Sequence, residues 1–321
     1  MLTLRQLRYF ESLSETLHFG QAARRLNISQ PALSAQIAQL EAHFGTALFE
    51  RRSSGISLTP EGERVKRRVR RILAEVRDLE ALSEGQGELL VGQLRIGIIA
   101  SLAPYLLPGL LAELARSYPR LSVGVRENVT AILADELARG DLDCVVQALP
   151  VERKGVSTIP LCEDPFFLAV PEAEAGRIPS PVAPSQLESE RLILLEEGHC
   201  LRDQALDVCR IVEQRDLATL GATSLTTLMR MVAGGLGVTL VPKSAVETEA
   251  RGGGIRFLPF EAPVPSRRLA LAFRSSSGRR SDFERLAEMI RACLGLSEAA
   301  VSETAAGHEK TGDASAPPAS D

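Results

Sequence analysis

The sequence predicts an α/β protein built from a winged helix-turn-helix domain, a long linker helix and a larger two-lobed α/β domain. Three observations lead to this prediction. The N-terminal segment places apolar residues at helical spacing and then gives two short strand patterns. A capped helix with a narrow apolar stripe follows. The rest of the chain alternates strands with amphipathic helices, and that alternation restarts partway along.

Length and composition are those of a globular chain with several domains. The 321 residues are 45% hydrophobic and 24% charged, and Trp is absent, so Leu, Val, Ile and Ala must form the cores. The N-terminus, MLTLRQLRYFESLSE, interrupts its apolar pattern with charges, and no uncharged apolar run approaches about 18 residues. We therefore expect no signal peptide, no membrane partner and a cytoplasmic location. Any disulfide there would be transient and regulatory.

Charge is distributed unevenly along the chain. Residues 1–90 contain 13 Lys or Arg and 11 Asp or Glu, a net charge of +2. Because the whole chain has a net charge of −4, the remaining residues have a net charge of −6. The basic residues cluster at RR (51–52) and RVKRRVRR (64–71). Such clusters form either a solvated helix face or a nucleic-acid contact, and charge alone leaves both interpretations open.

Residues 1–59 have the pattern of a winged helix-turn-helix domain. A first helix is followed by FGQAARRLNIS and then by SQPALSAQIAQLEAHFG, in which Ser29 suits an N-cap, Pro31 a first turn and Gly45 a helix end. Small residues on the second helix allow close packing against the third. LFER and ISLT, separated by a Ser-Ser-Gly turn, then predict a two-stranded wing.

Residues 60–91 predict a linker helix and a hinge, with Thr59 as cap and Pro60 in the first turn. The helix carries an apolar stripe of Val65, Val69, Ile72, Val76, Leu79 and Leu82. A stripe this narrow is typical of a coiled-coil dimer seam. Packing of the helix on its own domain is the alternative. We favour the seam because no neighbouring segment of the sequence is an obvious cover.

The N-terminal segment AARRLNISQPALSAQIAQLEAHFGTALFERRSSGISLTPEG resembles the LysR-type transcriptional regulators, with helix pair, wing and linker in that family's order. The resemblance implies a recognition helix that starts near Gln30 and enters the major groove. It implies base-facing positions at Gln30, Pro31 and Ser34, and positions near phosphates at Ser29, Arg51 and Arg52. Gln offers a base edge both a donor and an acceptor, whereas Arg suits phosphate. The expected partners are double-stranded DNA, RNA polymerase and further copies of the chain, in a homodimer through the linker helix and a homotetramer.

Residues 92–297 predict two similar α/β lobes with a crevice between them, like the periplasmic ligand-binding proteins. Strand patterns such as LRIGII and LDCVVQAL alternate with helices, which predicts a parallel, doubly wound sheet, and the pattern restarts at FFLAVP. The family resemblance implies that the chain crosses between lobes near 162–166 and returns near 262–267. Residues 298–321 are small, polar and rich in Pro, a composition that predicts a disordered tail.

The chain has five cysteines, and their settings differ. Cys144 lies in an apolar strand pattern and Cys293 in the last helix, so both are expected to be buried packing residues. Cys162, near the lobe crossing, is less clearly defined. Cys200 and Cys209 lie nine positions apart, which is poor spacing for zinc ligands, so we expect neither a metal site nor a cofactor.

The segment EEGHCLRDQALDVC resembles the OxyR branch of the LysR family, whose members sense hydrogen peroxide, and ENVTAILADELARGDLDCVV and ATSLTTLMRMVAGGLGVTLVP extend the likeness. The resemblance implies that Cys200 attacks peroxide and that Cys209 resolves the product as a disulfide. A thiol reductant such as glutaredoxin or thioredoxin would then reset the pair. It further implies that hydroxyls orient the peroxide and that other polar side chains supply hydrogen bonds or charge. The residues expected in these two roles are Ser101, Thr130, His199, Arg202 and Arg267, with Asp203 orienting Arg202 or a water.

The spacing of the two cysteines has a physical consequence. If residues 200–209 are helical, nine steps of about 1.5 Å separate the two Cα atoms by about 13 Å. A disulfide needs its Cα atoms within about 7 Å, so oxidation would require the segment to unwind. This predicts a switch. A regulator that binds a metabolite between the lobes is the alternative function, and a thiol peroxidase is a weaker one because an enzyme gives the helix-turn-helix no role.

Overall fold

The computed structural model describes residues 1–52, 55–84, 88–151, 153–189, 191–209 and 221–295, and for 51, 52, 81–84, 188, 189 and 209 it describes the backbone only. The expected disordered tail, 298–321, lies outside this part of the chain. Within these ranges, each helix is too short or too polar to cross a bilayer.

The N-terminal domain is a winged helix-turn-helix, as predicted. It consists of three helices and a wing: α1 (Leu4–Thr16), α2 (Phe19–Arg25), α3 (Gln30–Phe44), β1 (Phe49–Arg52) and β2 (Gly55–Leu58). Ser29 caps α3 by accepting a hydrogen bond from the Ala32 N–H, and α3 ends at Gly45, whose φ of 67° favours glycine. The antiparallel wing pairs Phe49 with Leu58.

The linker helix α4 (Pro60–Glu84) begins where the sequence predicts it. Thr59 Oγ1 accepts a hydrogen bond of 2.9 Å from the Gly62 N–H. The apolar stripe is only partly the free seam that we expected, because Val65 and Val69 are buried in the core of the N-terminal domain. The side chains of α1 cover this end of α4, a contact between segments far apart in sequence. Ile72 and Leu79, further along the helix, are 42% and 67% exposed.

The first lobe contains β3 (Gly92–Ile99), α5 (Ala103–Ser117), β4 (Leu121–Asn128), α6 (Thr130–Arg139) and β5 (Cys144–Ala148). β3 pairs in parallel with both β4 and β5, as the alternation predicts. The helix α10 (Arg280–Leu294), which ends the described chain, returns to this lobe and packs Phe283 against Phe273. Gly97 of β3 lies under α6, where a Cβ atom would come within 2.6 Å of Leu142.

The second lobe follows a long strand, β6 (Val156–Pro171), that belongs to both lobes. Its further elements are β7 (Leu194–Leu195), α7 (Cys200–Cys209), β8 (Gly221–Ala222), α8 (Leu225–Ala233), β9 (Thr239–Pro242), α9 (Lys243–Ala250) and β10 (Ile255–Pro259). The chain returns to the first lobe through β11 (Ser266–Arg274). The crossings near 162–166 and 262–267 therefore lie where we expected them.

The expectation of a wholly parallel sheet was wrong at these crossings. β11 runs antiparallel to both β5 and β6, and β9 and β10 run antiparallel to β6. One mixed sheet therefore extends through both lobes, in the order β10-β6-β11-β5-β3-β4 with β9 beside β6. The reason is geometrical, since a strand that leaves one lobe and another that returns to it enter the shared sheet in opposite directions.

The linker helix also packs against the first lobe. Gly140, which ends α6, approaches so closely that an added Cβ would lie 2.4 Å from the Ala74 Cβ atom. Asp78 of α4 and Arg274 of β11 form a buried ion pair of 3.4 Å, and Arg77 donates to the Gly140 carbonyl over 3.0 Å. These contacts join the linker helix α4 to the first lobe within one chain.

Candidate functional site

Cys200 lies at the boundary between the two lobes. It is the first residue of α7, and it is half-buried. The neighbouring Leu201 and the more distant Ala205 are buried in the core of the second lobe. The Cys200 side chain instead packs against the core of the first lobe. Movement of one lobe relative to the other would therefore change the surroundings of the Cys200 thiol.

The loop that leads into Cys200 approaches the start of α6. Gly198 has φ +93°, a conformation that side chains rarely adopt, and its Cβ position lies 4.0 Å from the methyl groups of Val129. Thr130 follows Val129 directly, and its hydroxyl is buried without a hydrogen-bond partner. Thr130 and the Cys200 loop, far apart in sequence, are thus neighbours in the fold.

Ser101 belongs to a buried polar network that also crosses the lobe boundary. The Ser101 hydroxyl accepts a hydrogen bond of 2.9 Å from Arg267 Nη1. Arg267 Nε donates to Asp164 over 3.0 Å, and the side chains of both residues are 0% exposed. Asp164 in turn accepts from the Ser244 N–H and hydroxyl over 2.9 and 2.7 Å. Arg267 is therefore fixed by its ion pair rather than by Cys200.

One donor of Arg267 remains unused. Its Nη2 lies 2.9 Å from Asp164 Oδ2, but this nitrogen makes no hydrogen bond of good angle and is buried. Among the described residues, no hydrogen bond joins Cys200 to Ser101, Thr130 or Arg267. The structure places these groups at one lobe boundary, with buried polar atoms that a small hydrogen-bonding molecule could satisfy.

His199, Arg202 and Asp203, which lie next to Cys200 in the sequence, have different surroundings. Desolvation lowers the pKa of His199, against the opposing effect of Glu196, so the imidazole is neutral near pH 7 and offers hydrogen bonds rather than charge. Arg202 donates to the Leu195 carbonyl over 3.1 Å, which ties α7 to β7. Asp203 is exposed and forms no ion pair with Arg202 among the described residues, and its expected role toward Arg202 or a water stays a prediction.

The other described cysteines are held in the thiol form. Burial, with a further contribution from Asp143, raises the pKa of Cys144, and burial followed by Asp164 raises the pKa of Cys162 to about 12. Desolvation and Glu113 also raise the pKa of Cys293. Cys293 is exposed, so the expectation that it is a buried packing residue was wrong. It lies on the solvent side of α10. The side chain of Cys209 lies outside the described part of the chain.

Two residues of this region were not among the site residues predicted from the sequence. Asp164 is one, and a carboxylate at the start of an otherwise apolar strand pattern was the available signal. Gln204 is the other, with its amide oxygen buried and without a partner. It lies one helical turn after Cys200, so helix periodicity could have placed it on the same face. No group of three or more His, Cys, Asp or Glu suited to a metal occurs within the described ranges.

The expected DNA-contacting residues lie at the start of α3. Ser29, Gln30 and Pro31 are exposed and Ser34 is half-buried, whereas Leu33 and Ile37 face the core. The helix thus turns a polar side outward at the end predicted to meet bases. The side chains of Arg51 and Arg52 lie outside the described part of the chain. Their backbone positions are in the wing strand β1.

Comparison with known proteins identifies the family. Residues 4–63 match the model of the bacterial regulatory helix-turn-helix protein of the LysR family, and residues 87–294 match the LysR substrate binding domain. The chain is 39% identical over 291 residues to the dual regulator OxyR of Escherichia coli K12, covering 91% of this chain and 95% of that one. A hydrogen peroxide-inducible genes activator of Haemophilus influenzae is 37% identical over 289 residues, covering 90% and 96%.

Solved structures agree. A full-length OxyR of Pseudomonas aeruginosa, with a cysteine replaced by aspartate, is 37% identical and covers 91% of this chain and 96% of that chain, with a TM-score of 0.78. A cysteine-to-serine mutant of Corynebacterium glutamicum OxyR, described as bound to hydrogen peroxide, is 36% identical and covers 91% and 94%, with a TM-score of 0.63. The chain therefore belongs to the LysR family of transcription regulators, within the branch formed by the OxyR proteins.

Proposed function

We propose that Cys200 and Cys209 are the redox switch of this chain, with Cys200 as the residue that peroxide oxidises. As a member of the OxyR branch, the chain is a hydrogen-peroxide-sensing, DNA-binding transcription regulator that works through cysteine redox chemistry. The observation that carries the assignment is the position of Cys200. It is the first residue of α7, and it packs against the opposite lobe, next to a loop that approaches Val129, the residue before Thr130.

The surroundings of Cys200 favour peroxide chemistry over that of the other described cysteines. Cys200 is half-buried at the first position of α7 and packs where the two lobes meet. Cys144, Cys162 and Cys293 have raised pKa values and are protonated near pH 7. Because only the thiolate attacks peroxide, these three react more slowly.

The reaction proceeds in two balanced steps. The Cys200 thiolate attacks one peroxide oxygen, the O–O bond breaks, and the leaving hydroxide takes a proton to become water, which leaves a sulfenic acid. The Cys209 thiolate then attacks the Cys200 sulfur, the S–O bond breaks, and the leaving hydroxide takes a proton to become a second water. The two thiols lose two electrons in total and the peroxide gains them. Hydrogen bonds from Ser101, Thr130 and neutral His199 would orient the peroxide oxygens.

The second step requires a change of fold. α7 is helical from Cys200 to Cys209, so the condition set out for the sequence is met. Nine helical steps separate the Cα atoms by about 13 Å, against the limit of about 7 Å for a disulfide. α7 must therefore unwind. Since Leu201 and Ala205 are buried in the second lobe, unwinding also disturbs that core and can change how subunits pack.

The partners follow from this regulatory role. The chain would act in the cytoplasm as a homodimer joined through α4, and as a tetramer, on operator DNA read by Gln30, Pro31 and Ser34. Ser29, Arg51 and Arg52 would hold phosphates. RNA polymerase would receive the signal, and a dithiol reductant of the glutaredoxin or thioredoxin type would reduce the disulfide by exchange.

Three serine substitutions test the assignment. After a short micromolar peroxide pulse, peptide mapping should show a Cys200–Cys209 disulfide in the unsubstituted protein. Cys200→Ser should abolish both the disulfide and the transcriptional response. Cys209→Ser should accumulate sulfenic acid at Cys200 and respond only in part. Cys144→Ser, a change at a buried cysteine outside the switch, is the matched control and should respond normally.

Two results would contradict the proposal. A disulfide between Cys200 and Cys162 would remove Cys209 from the switch, despite the raised pKa of Cys162. A full transcriptional response with no disulfide at all would leave sulfenic acid alone as the signal.

A further inference from the structure

A tyrosine of the first lobe reaches across the boundary to a buried carboxylate of the second lobe. Tyr105, in the first turn of α5, donates a hydrogen bond of 2.7 Å to Glu249 Oε1 in α9. Its ring packs against the core of the second lobe, although α5 belongs to the first. Burial, with the hydrogen bond to Glu249 next in size, raises the pKa of Tyr105 above its usual value. The phenol is therefore protonated and remains a donor.

Glu249 is held for this contact. It is 3% exposed, and the same Oε1 atom also accepts a hydrogen bond of 2.9 Å from Thr226 of α8. A buried carboxylate is costly unless donors surround it, so removal of Tyr105 or Thr226 would leave its charge poorly satisfied. Losing the Tyr105–Glu249 hydrogen bond should therefore cost more free energy than losing a hydrogen bond at the surface.

The two ends of α9 are both tied to the first lobe. At its start, Ser244 donates to Asp164, which pairs with Arg267, and Arg267 holds Ser101. At its end, Glu249 accepts a hydrogen bond from Tyr105, which lies in the first turn of α5, four residues after Ser101. The segment from Ser101 to Tyr105 is therefore connected to α9 of the second lobe by two polar links.

We propose that Tyr105 and Glu249 are positioning residues for the reaction of Cys200 with peroxide, which they serve by holding the lobes at a fixed separation. The inference rests on the proposed function. Cys200 and His199 come from the second lobe, whereas Ser101 and Thr130 come from the first. The geometry between the thiol and the hydroxyls depends on how the lobes are held together. The Tyr105–Glu249 link sets that geometry without touching peroxide itself.

The test compares two reagents at the same cysteine. Hydrogen peroxide depends on oriented hydroxyls, whereas iodoacetamide alkylates an accessible thiolate without them. Second-order rate constants for Cys200 are measured in the full-length protein with each reagent, by mass spectrometry of the peptide that carries Cys200. Tyr105→Phe should slow peroxide oxidation about fivefold to tenfold, the effect of one lost hydrogen bond. It should not slow alkylation, because a looser boundary exposes a half-buried thiol.

The ratio of the two rate constants decides the question. Tyr118→Phe is the matched control, since it removes a phenol that accepts from Arg285 at the surface of the first lobe, and its ratio should equal that of the unsubstituted protein. Glu249→Ala should lower the ratio as Tyr105→Phe does, whereas Glu249→Gln keeps an acceptor oxygen and should restore most of it. Unfolded chain would also lower the ratio, because it loses the oriented hydroxyls but exposes the thiol. Each variant is therefore assayed well below its own melting temperature, where a lowered ratio reports on the folded protein.

An unchanged ratio in both Tyr105→Phe and Glu249→Ala overturns the positioning role while Cys200 is still oxidised. If peroxide fails to oxidise Cys200 in the unsubstituted protein, it is the proposed function that fails instead. The two failures are therefore distinguishable in one experiment.

Discussion

At the scale of single residues, Thr130 carries a hydroxyl that the fold buries without a hydrogen-bond partner. Thr130→Val keeps the shape and removes only this hydroxyl. Because no protein group loses a partner, the melting temperature should not fall. If the hydroxyl orients peroxide, the loss of one hydrogen bond should slow oxidation of Cys200 about fivefold to tenfold, measured by stopped flow.

Thr158→Val provides the comparison for this variant. Thr158 is an exposed threonine of β6 in the same lobe, paired with Ala272 of β11. The same chemical change there should alter neither the oxidation rate nor the stability. Equal oxidation rates in both variants and the unsubstituted protein would remove Thr130 from the reaction.

Arg267 shows how far the sequence could go at this scale. Resemblance indicated the residue, but the sequence contained no sign that Asp164 pairs with it, because β6 and β11 meet only through the fold. The pairing also limits what mutation can show. Removing one partner of a buried ion pair costs about 3–5 kcal/mol, because the other charge remains buried and unpaired. Arg267→Ala would therefore report on folding before it reported on peroxide.

At the scale of elements, α3 carries the DNA-reading prediction. Gln30 is exposed at the start of the helix and can pair with a base edge by two hydrogen bonds. Gln30→Ala should lower the ratio of operator affinity to random-DNA affinity. The binding free-energy difference between the two DNAs should shrink by about 1–3 kcal/mol, as measured by fluorescence anisotropy at fixed salt. Arg52→Ala, at a predicted phosphate contact, should weaken binding to both DNAs and leave the ratio unchanged. If Gln30→Ala leaves the affinity ratio unchanged, the assignment of the start of α3 as the base-reading end of the recognition helix is wrong.

Most element boundaries could be predicted because local chemistry determines them. Ser29 and Thr59 accept hydrogen bonds from the first turns of α3 and α4, and Gly45 ends α3 in a left-handed conformation. What failed was the assignment of faces. Val65 and Val69 have the spacing of a seam, but α1 covers them, and Cys293 has the spacing of a core position but faces solvent.

The strand directions were a second failure at this scale. Alternating strands and helices predict a parallel sheet, which holds for β3, β4 and β5. The pattern within a strand does not record whether its neighbour comes from the same lobe or crosses from the other. β6 and β11 are therefore antiparallel for a reason that lies in the topology and not in their residues.

At the scale of the whole molecule, the junction between α4 and the first lobe connects the sensor to the DNA-binding domain. The buried Asp78–Arg274 pair and the close approach of Gly140 to Ala74 join the two within one chain. We therefore expect movement of the first lobe to act directly on α4. Because α7 belongs to the second lobe, we expect its unwinding to act on α4 across the lobe boundary, where Tyr105 and Arg267 lie.

The exposed part of the α4 stripe predicts where two chains meet. Ile72 and Leu79, seven residues apart and so on one side of the helix, are 42% and 67% exposed. Leu79→Asp would place a charge in that seam in both subunits. Because an unpaired charge costs several kcal/mol in an apolar contact, the dimer should dissociate at least about tenfold more readily, as measured by sedimentation. Affinity for an operator with two half-sites should fall with it, while affinity for one half-site should not.

Leu17→Asp is the matched control for the dimer. Leu17 is 41% exposed and ends α1 with a φ of 48°, a conformation that Asp tolerates, so the same substitution there should leave the dimer intact. If Leu79→Asp and Leu17→Asp sediment alike, the seam does not run along this face of α4. The exposed leucine would then belong to a different contact, since α1 already covers Val65 and Val69 at the start of the same stripe.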